Sequence, residues 1–244
     1  MCPSVVMGVD LENVQVASRK ISGHPAAPRP RPASRMSTPI QERSRQSLDR
    51  MLVALEDLLK NQSFEKITIA ALARRADVAV GSIYARFADK QALLIGMHQR
   101  IHERSEPCRR KLVDPATWLG RSTEAVLKGT IFAAIRYYRQ HGKVLRAVNL
   151  NQPAEVTVRV RTEIQEFSIA MANLLATKAA VRNRVGVHAA VESAVGIVVA
   201  VLMHRTAPPG ERIVGMVTEQ RLAAELLTVV RALLQPVLEP LAPH

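Results

Sequence analysis

Apolar side chains recur every three to four residues through most of the chain after residue 40, and no segment shows the alternating pattern of a half-buried strand. Only eight of the 244 residues are aromatic, which also argues against a β-rich domain. The chain is therefore predicted to be all-α, with about nine helices. These predicted helices cover about residues 39–61, 69–76, 80–87, 90–111, 115–141, 143–149, 153–182, 185–204 and 211–235.

Capping signals mark several of the predicted helix ends. Thr38 precedes Pro39, and Gln41 stands at the third helical position, which is the pattern of a capping box. Asp89 can cap the fourth helix, and Pro236 stops the last one. Helical order is therefore expected to begin near residue 38.

Basic residues outnumber acidic ones by 34 to 21, and the net charge of +13 favours a polyanionic partner. The excess is not concentrated on one amphipathic helix, because residues 41–100 carry ten basic and seven acidic side chains, and residues 101–244 carry 19 and 12. This spread argues against a peripheral membrane protein or a nonspecific nucleic-acid binder. Since Cys2 and Cys108 are the only cysteines, a disulfide scaffold and a cysteine-based zinc cluster are excluded.

Residues 1–37 differ from the rest of the chain, because prolines and arginines crowd together there without helical or strand periodicity. This segment is predicted to be a disordered arm. Three interpretations stay open: a dispensable tail, a start codon placed too early with Met36 as the true start, or an arginine arm that enters a DNA minor groove.

Neither a secretory signal nor a membrane span is predicted. Asp10 and Glu12 interrupt the position of the apolar run that a signal peptide needs. The most apolar stretch, Val185–Met203, contains His188 and Glu192, so a buried helix of a soluble protein is the better interpretation. We therefore expect a cytoplasmic protein with no membrane partner.

Two short predicted helices joined by a tight turn, about Ile69–Ala76 and Val80–Phe87, form the most informative segment. The small Ala73 permits a close helix crossing, and Asp77 in the turn tolerates left-handed backbone better than most residues do. Leu72, Val78 and Ile83 supply apolar contacts between the helices. This arrangement predicts a helix-turn-helix, whose second helix enters the major groove of double-stranded DNA.

Seven residues of this segment are predicted to contact DNA: Thr68, Ala79, Val80, Gly81, Ser82, Tyr84 and Lys90. Ser82 can hydrogen-bond a base edge, Ala79 or Val80 can pack on a thymine methyl group, and Gly81 permits close approach. Tyr84 and Lys90 suit phosphate oxygens. Taken singly, each has a structural alternative as a core aromatic, a solvated lysine or a helix cap. Their combination over about twenty positions favours the DNA interpretation.

The first predicted helix is rich in leucine, and Gly81-Ser82-Ile83-Tyr84 is followed by Phe87 and Lys90. Further matching positions are Phe64, Ile67-Thr68-Ile69, Leu72-Ala73-Arg74-Arg75-Ala76, Val78 and Leu93-Leu94. On these residues the stretch from about Gln46 to Arg100 resembles the N-terminal DNA-binding domain of the tetracycline-repressor-like (TetR) family of bacterial regulators. The chain departs from the family's pattern at Asp77, where glycine is frequent, at Ala79, where serine or threonine is frequent, and at Lys60-Asn61, which replaces a glycine.

The resemblance implies a cytoplasmic, nucleoid-associated homodimer that regulates transcription at a palindromic operator. It implies a helix-turn-helix domain over residues 38–100 and a helical domain for effector binding and dimerisation over residues 101–244. The family's usual mode implies a repressor released by a small molecule. An activator, a metal-responsive regulator and a regulator without a ligand remain as alternatives.

The effector site is expected in residues 101–244, where apolar walls with a few polar groups would form a pocket. The candidate ligand-binding residues are Trp118, Phe132, Arg136, Tyr137, His141, Asn149, Phe167, Met171 and His188. Each has the alternative of being an ordinary core residue. The last two predicted helices carry broad apolar faces, which either pair with their copies across a dimer or are buried within the monomer.

Other chemistry is not favoured by the sequence. His98, His102 and Glu106 share one helical face, which could in principle hold a metal, but no HExxH motif or nearby cysteine supports such a site. No glycine-rich phosphate loop or nucleophile elbow is present. An enzyme is therefore disfavoured, and no cofactor is predicted.

Overall fold

The computed structural model describes residues 40–181, 184–205 and 217–239. These ranges contain α1 (Ile40–Leu59), α2 (Ile69–Ala76), α3 (Val80–Tyr84), α4 (Lys90–Val113), α5 (Thr123–Asn151), α6 (Ala154–Ala176), α7 (Arg184–Arg205) and α8 (Glu219–Leu234). Two short 3-10 helices cover Phe64–Lys66 and Pro115–Trp118, and β1 (Ala180–Val181) pairs antiparallel with β2 (Leu238–Glu239). The predicted all-α class is confirmed, although the two-residue strand pair was not expected.

The described residues contain eight α-helices rather than the nine expected, because α5 continues through the predicted break near residue 142. Gly142 is buried there, and the apolar face continues beyond it. A glycine inside a helix costs about 0.5–1 kcal/mol relative to alanine, and the packing of α5 offsets that cost. The helix ends instead at Gln152, which takes a φ of 41°.

Three other predicted helix boundaries are wrong. The helix expected from Pro115 is only a 3-10 turn, and α5 begins at Thr123 with Ser122 as its cap. α6 ends at Ala176, about six residues early, and α3 ends at Tyr84, three residues early. Each error lies where local propensity allows a helix to continue but the chain must turn to pack.

Two predictions fall outside the described residues. They are the disordered arm of residues 1–37 with the capping box at Thr38, and the start of the last helix near residue 211. α8 begins at Glu219, where the Thr218 hydroxyl accepts a hydrogen bond from an amide in the first turn.

The buried apolar side chains form two clusters, and α4 belongs to both of them. The first cluster joins α1, α2, α3 and the first half of α4 to the junction of α5 and α6. The second joins α5, α6, α7 and α8. Leu93 and Ile101 of α4 are buried in the first cluster, whereas Leu112 and Val113 pack against the second. A shift of α4 therefore affects both clusters.

Candidate nucleic-acid interface

α2 is fixed at its start by a side-chain cap and along its length by buried residues. The Thr68 hydroxyl oxygen accepts a hydrogen bond from the amide of Ala71 at 3.1 Å, and the Thr68 side chain is exposed. Leu72 and Ala73 are buried in the first cluster. Thr68 thus acts as the helix cap while remaining at the surface, where a phosphate could also reach it.

The turn after α2 adopts the left-handed conformation that the sequence predicted for Asp77, with φ 53° and ψ 54°. The amide of Val78 donates to the carbonyl of Ala73 at 3.0 Å and closes the helix. Arg50 of α1 donates to the Asp77 carbonyl at 3.3 Å, and its guanidinium lies 3.6 Å from the Asp77 carboxylate. α1 therefore holds the turn that sets the direction of α3.

α3 is a five-residue helix held by a single buried side chain. Ile83 is 1% exposed, whereas Val80 and Tyr84 are 43% and 55% exposed. Ser82 is also exposed. Apart from the neighbours of Gly81 and the backbone of α3 itself, no atom lies within 4 Å of the position that a Cβ would take at Gly81. The first turn of α3 therefore presents small side chains to solvent, with room for another molecule to approach.

Ala79 precedes α3 and makes no side-chain cap, as its lack of a hydroxyl dictates. Its carbonyl accepts a hydrogen bond from the amide of Ser82 at 2.9 Å, so the turn closes through backbone alone. Ala79 therefore supplies no side-chain acceptor for the amide groups at the start of α3. Such amides can donate to phosphate oxygens.

The start of α4 is tied to the loop before α2. The Asp89 carboxylate accepts a hydrogen bond from the amide of Ala92 at 2.7 Å and caps α4 as predicted. The ammonium group of Lys90 donates to the carbonyl of Glu65 at 3.0 Å and lies 4.6 Å from the centre of the Phe64 ring. The structure therefore gives Lys90 an intramolecular role that the sequence did not indicate, although two of its three N–H donors remain.

Several arginines of this region were not singled out in the sequence. Arg86, directly after α3, donates to the carbonyl and hydroxyl oxygens of Ser44 at 2.7 and 2.6 Å. Arg75 donates to Asp57 at 2.8 Å, and this contact lowers the pKa of the Asp57 carboxyl group. Arg74 is exposed, and its side chain has no hydrogen bond or ion pair with another described residue. An arginine on the outer side of α2 is the feature of the sequence from which a phosphate contact could have been predicted.

The geometry is that of two helices crossing at a tight turn, with the second helix exposed at its start. The sequence of residues 51–97 matches the model of the bacterial regulatory proteins of the tetR family. This segment is therefore similar to the DNA-binding domain of the TetR family. No curated protein matches the chain in sequence.

Solved structures of TetR-family proteins share the fold at low sequence identity. A transcriptional regulator from Streptomyces coelicolor is 18% identical with a TM-score of 0.61, over 82% of this chain and 83% of that chain. A TetR-like regulator from Rhodococcus sp. RHA1 is 21% identical with a TM-score of 0.52, over 81% and 98%. NalD, the secondary repressor of the MexAB-OprM pump in Pseudomonas aeruginosa, is 15% identical with a TM-score of 0.55, over 80% and 98%. The likeness covers both the helix-turn-helix domain and the C-terminal helical domain.

The residues predicted to bind an effector lie in more than one part of the described structure. Trp118 and Met171 are buried in the second cluster, and Phe132 and Phe167 pack against it. Tyr137 packs instead against the first cluster. Asn149 is exposed, and His188 lines a separate groove of about 230 Å³ at the junction of α6 and α7.

Trp118 is a structural anchor of the second cluster. It is 3% exposed, and its indole nitrogen donates to the carbonyl of Leu112 at 2.9 Å. Its ring lies so close to Gly129 that a methyl group there would overlap it. These contacts account for Trp118 without a ligand.

Tyr137 and His141 belong to a half-buried polar layer between α4 and α5. Their rings lie 5.2 Å apart, and burial raises the pKa of Tyr137 to about 12. Nδ1 of His141 and NH2 of Arg136 are buried with no hydrogen-bond partner among the described residues. Unpaired buried polar atoms are uncommon and mark places where water or a ligand can bind.

The face of α4 considered for a metal is occupied by ion pairs instead. Nδ1 of His102 lies 2.7 Å from the Glu163 carboxylate of α6, and the Glu106 carboxylate pairs with Arg109 and Arg110. No group of three histidine, cysteine, aspartate or glutamate side chains among the described residues is arranged to hold a metal ion. Arg109 also donates to Glu163 at 3.3 Å, so these pairs join α4 to α6.

α7 exposes much of its apolar surface. Val185–Arg205 contains an 18-residue window of mean hydropathy 2.0, yet only 22% of that window is buried. Length and composition would allow this helix to cross a membrane, which for one helix is weak evidence. Its buried side includes Val187, Val191 and Leu202, while Val185 and Ile197 are 78% and 39% exposed. α7 is therefore buried on one side and keeps apolar side chains such as Ile197 exposed elsewhere.

Proposed function

We propose that this chain is a TetR-type regulator, a homodimeric repressor that binds a palindromic operator in the bacterial cytoplasm and is released by a small-molecule effector. The observation that carries the proposal is the first turn of α3, where Val80, Gly81 and Ser82 are exposed while Ile83 holds the helix in the core. A B-DNA major groove, about 12 Å wide, admits a helix presented in this way.

We assign the proposed DNA contacts by chemistry. Ser82 and Val80 face base edges, as a hydrogen-bonding group and a methyl contact, so their replacement changes the sequence preferred. Thr68, Tyr84 and Lys90 contact phosphates and position the protein without reading sequence. Ala79 and Gly81 contribute small side chains that let the backbone of the turn come close to DNA.

The dimer is proposed to form through the exposed sides of α7 and α8. α7 exposes Ala189, Ile197 and Ala200 there, and α8 exposes Ala224 and Val229. Small and apolar side chains allow helices from two copies to pack closely across a two-fold axis. The two recognition helices would then be held at a fixed distance, as a two-fold symmetric operator requires.

Effector release is proposed to act through α4, because this helix packs in both apolar clusters. A ligand in the C-terminal half that displaces α4 would change the distance between the recognition helices of the dimer. Half-sites lie about 34–36 Å apart or at multiples of that distance, so a small change in spacing weakens both contacts together. A thermal-shift screen of small molecules, followed by titration of operator DNA with each stabilising compound, tests this step. At least one compound must both stabilise the protein and weaken operator binding.

Lys90 is predicted to contact a phosphate of the DNA backbone. Replacing Lys90 with alanine should weaken binding to all DNA sequences and flatten the dependence of log K on log salt by about one unit, because one phosphate contact is lost. The measurement is fluorescence anisotropy with specific and random DNA at several NaCl concentrations.

Lys128→Ala is the matched control, since Lys128 is an exposed lysine of α5. It should leave the salt slope unchanged. If Lys90→Ala also leaves the slope unchanged but lowers the melting temperature, Lys90 acts only through Glu65 and Phe64, and its phosphate contact is wrong.

A further inference from the structure

A groove of about 550 Å³ runs between α1 and α4 and reaches the segment that follows α3. Its charged lining residues are Arg45, Asp49, Arg86, Arg100, Glu103 and Arg104. Four arginines therefore face two carboxylates, which leaves an excess of positive charge. None of the candidate effector residues lines this groove.

Arg100 is the buried residue of this groove. It is 9% exposed, and its NH1 group lies 2.7 Å from the Asp49 carboxylate and donates to the Asp49 carbonyl at 3.0 Å. Its Nε is buried with no hydrogen-bond partner among the described residues. Burial lowers the pKa of Arg100, yet a guanidinium remains charged at neutral pH. The charge of Arg100 is thus removed from water, and only some of its N–H donors have a hydrogen-bond partner.

The two carboxylates do not neutralise the other arginines. Asp49 is shared, because Arg104 also lies 3.4 Å from the same carboxylate oxygen that pairs with Arg100. Glu103 accepts a hydrogen bond from Gln99 at 2.9 Å. Arg86 donates to the uncharged oxygens of Ser44, so its charge has no counter-charge there.

Arg45 completes the ring of positive charge around the groove. It is exposed, and its side chain has no hydrogen bond or ion pair with another described residue. The floor between the arginines is apolar: Phe87 lies beneath Gly96, where an added Cβ would be 3.0 Å from the ring. The absence of a side chain at Gly96 lets the Phe87 ring pack directly against α4.

We propose that this groove binds a small organic anion carrying carboxylate or phosphate groups. Arginine forks recognise such groups through paired N–H donors, and the apolar floor suits a short carbon skeleton. The anion would bridge α1 and α4, the two helices that pack around the helix-turn-helix.

A free anion fits the groove better than a phosphate of the DNA backbone does. Arg100 lies ten residues after Lys90, which is about 15 Å along α4. That rise separates Arg100 from Lys90, the residue that we assign to a phosphate of the DNA backbone. Binding of a small anion in the absence of DNA distinguishes a free anion from a phosphate of the DNA backbone.

The experiment is calorimetric titration of the full chain without DNA, using citrate and inorganic phosphate in turn, with ionic strength held constant by NaCl. We expect saturable binding of at least one of them, with one site per chain and a Kd below about 1 mM. Arg45→Gln should weaken that binding at least tenfold, and the conservative Arg100→Lys should also weaken it, because the guanidinium fork is lost.

Arg43→Gln provides the control, since Arg43 is an exposed arginine of α1 that does not line the groove. It should bind the anion as the unchanged chain does. Arg45 is exposed, so its replacement leaves the core intact, and a thermal melt verifies folding. Absence of a saturable site, or equal affinity in Arg45→Gln and Arg43→Gln, would overturn the proposal. Operator binding is measured in chloride buffer without either anion, so the proposed regulatory function is judged independently.

Discussion

Replacing Ile197 with aspartate should convert the proposed dimer into a monomer and weaken operator binding at least about 100-fold. Ile197 lies on the exposed side of α7, 39% exposed in the single chain. A two-fold interface repeats the substitution, so two carboxylates would be buried without partners at the centre of the apolar contact. Sedimentation velocity at micromolar concentration measures the mass, and anisotropy with operator DNA measures the affinity.

Ile169→Asp is the matched control for this experiment. Ile169 is an isoleucine of α6 with a similar exposed fraction, 45%. It should leave both the mass and the DNA affinity unchanged. A dimer that persists in Ile197→Asp with normal operator binding would place the interface elsewhere and remove the explanation for the apolar surface of α7.

Replacing Ile83 with alanine should destabilise the protein by about 2–5 kcal/mol, the range for truncating a buried isoleucine. Ile83 is 1% exposed and anchors a helix of only five residues, so few other contacts hold α3 in place. Operator affinity should fall as well, because α3 loses its fixed direction. Urea unfolding followed by circular dichroism measures the stability, and anisotropy measures the binding.

Val80→Ala separates stability from recognition on the same helix. Val80 is 43% exposed, so its truncation should change stability by no more than about 0.5 kcal/mol while altering the preferred DNA sequence. If Ile83→Ala were as stable as Val80→Ala, the packing that we assign to α3 would be wrong.

Local signals in the sequence predicted the helix-turn-helix well because its geometry depends on neighbouring residues. Asp77 takes the left-handed conformation that its place between two short helices required, and Asp89 caps α4. The cap by Thr68 is made within three residues. Such features are decided by backbone geometry and short-range hydrogen bonds, which spacing along the chain reveals.

Features that depend on contacts between distant segments were not predictable in this way. The predicted ranges separate two helices at residue 142, yet α5 continues there because tertiary packing offsets the cost of a glycine. The pairing of Arg100 with Asp49 joins residues 51 positions apart and left no periodic signal. Lys90 was assigned to phosphate from its position alone, while its contacts with Glu65 and Phe64 depend on how α4 meets the preceding loop.

The candidate effector residues show the same difference between local features and contacts of distant segments. Aromatic residues at helical spacing indicate which side chains face inward, but not which of two clusters they join. Tyr137 and Phe132 lie five residues apart on α5 and pack against different clusters. A ligand pocket is formed where several helices diverge, so its position requires their packing to be known.

We propose that the exposed first turn of α3, presented twice by a dimer, reads a symmetric DNA sequence. Selection of binding sites from random double-stranded DNA by the full chain tests this proposal most directly. We expect a palindrome whose half-sites are centred about one helical turn apart, or a multiple of one turn. Recovery of no enriched motif, or of a motif without two-fold symmetry, would contradict it.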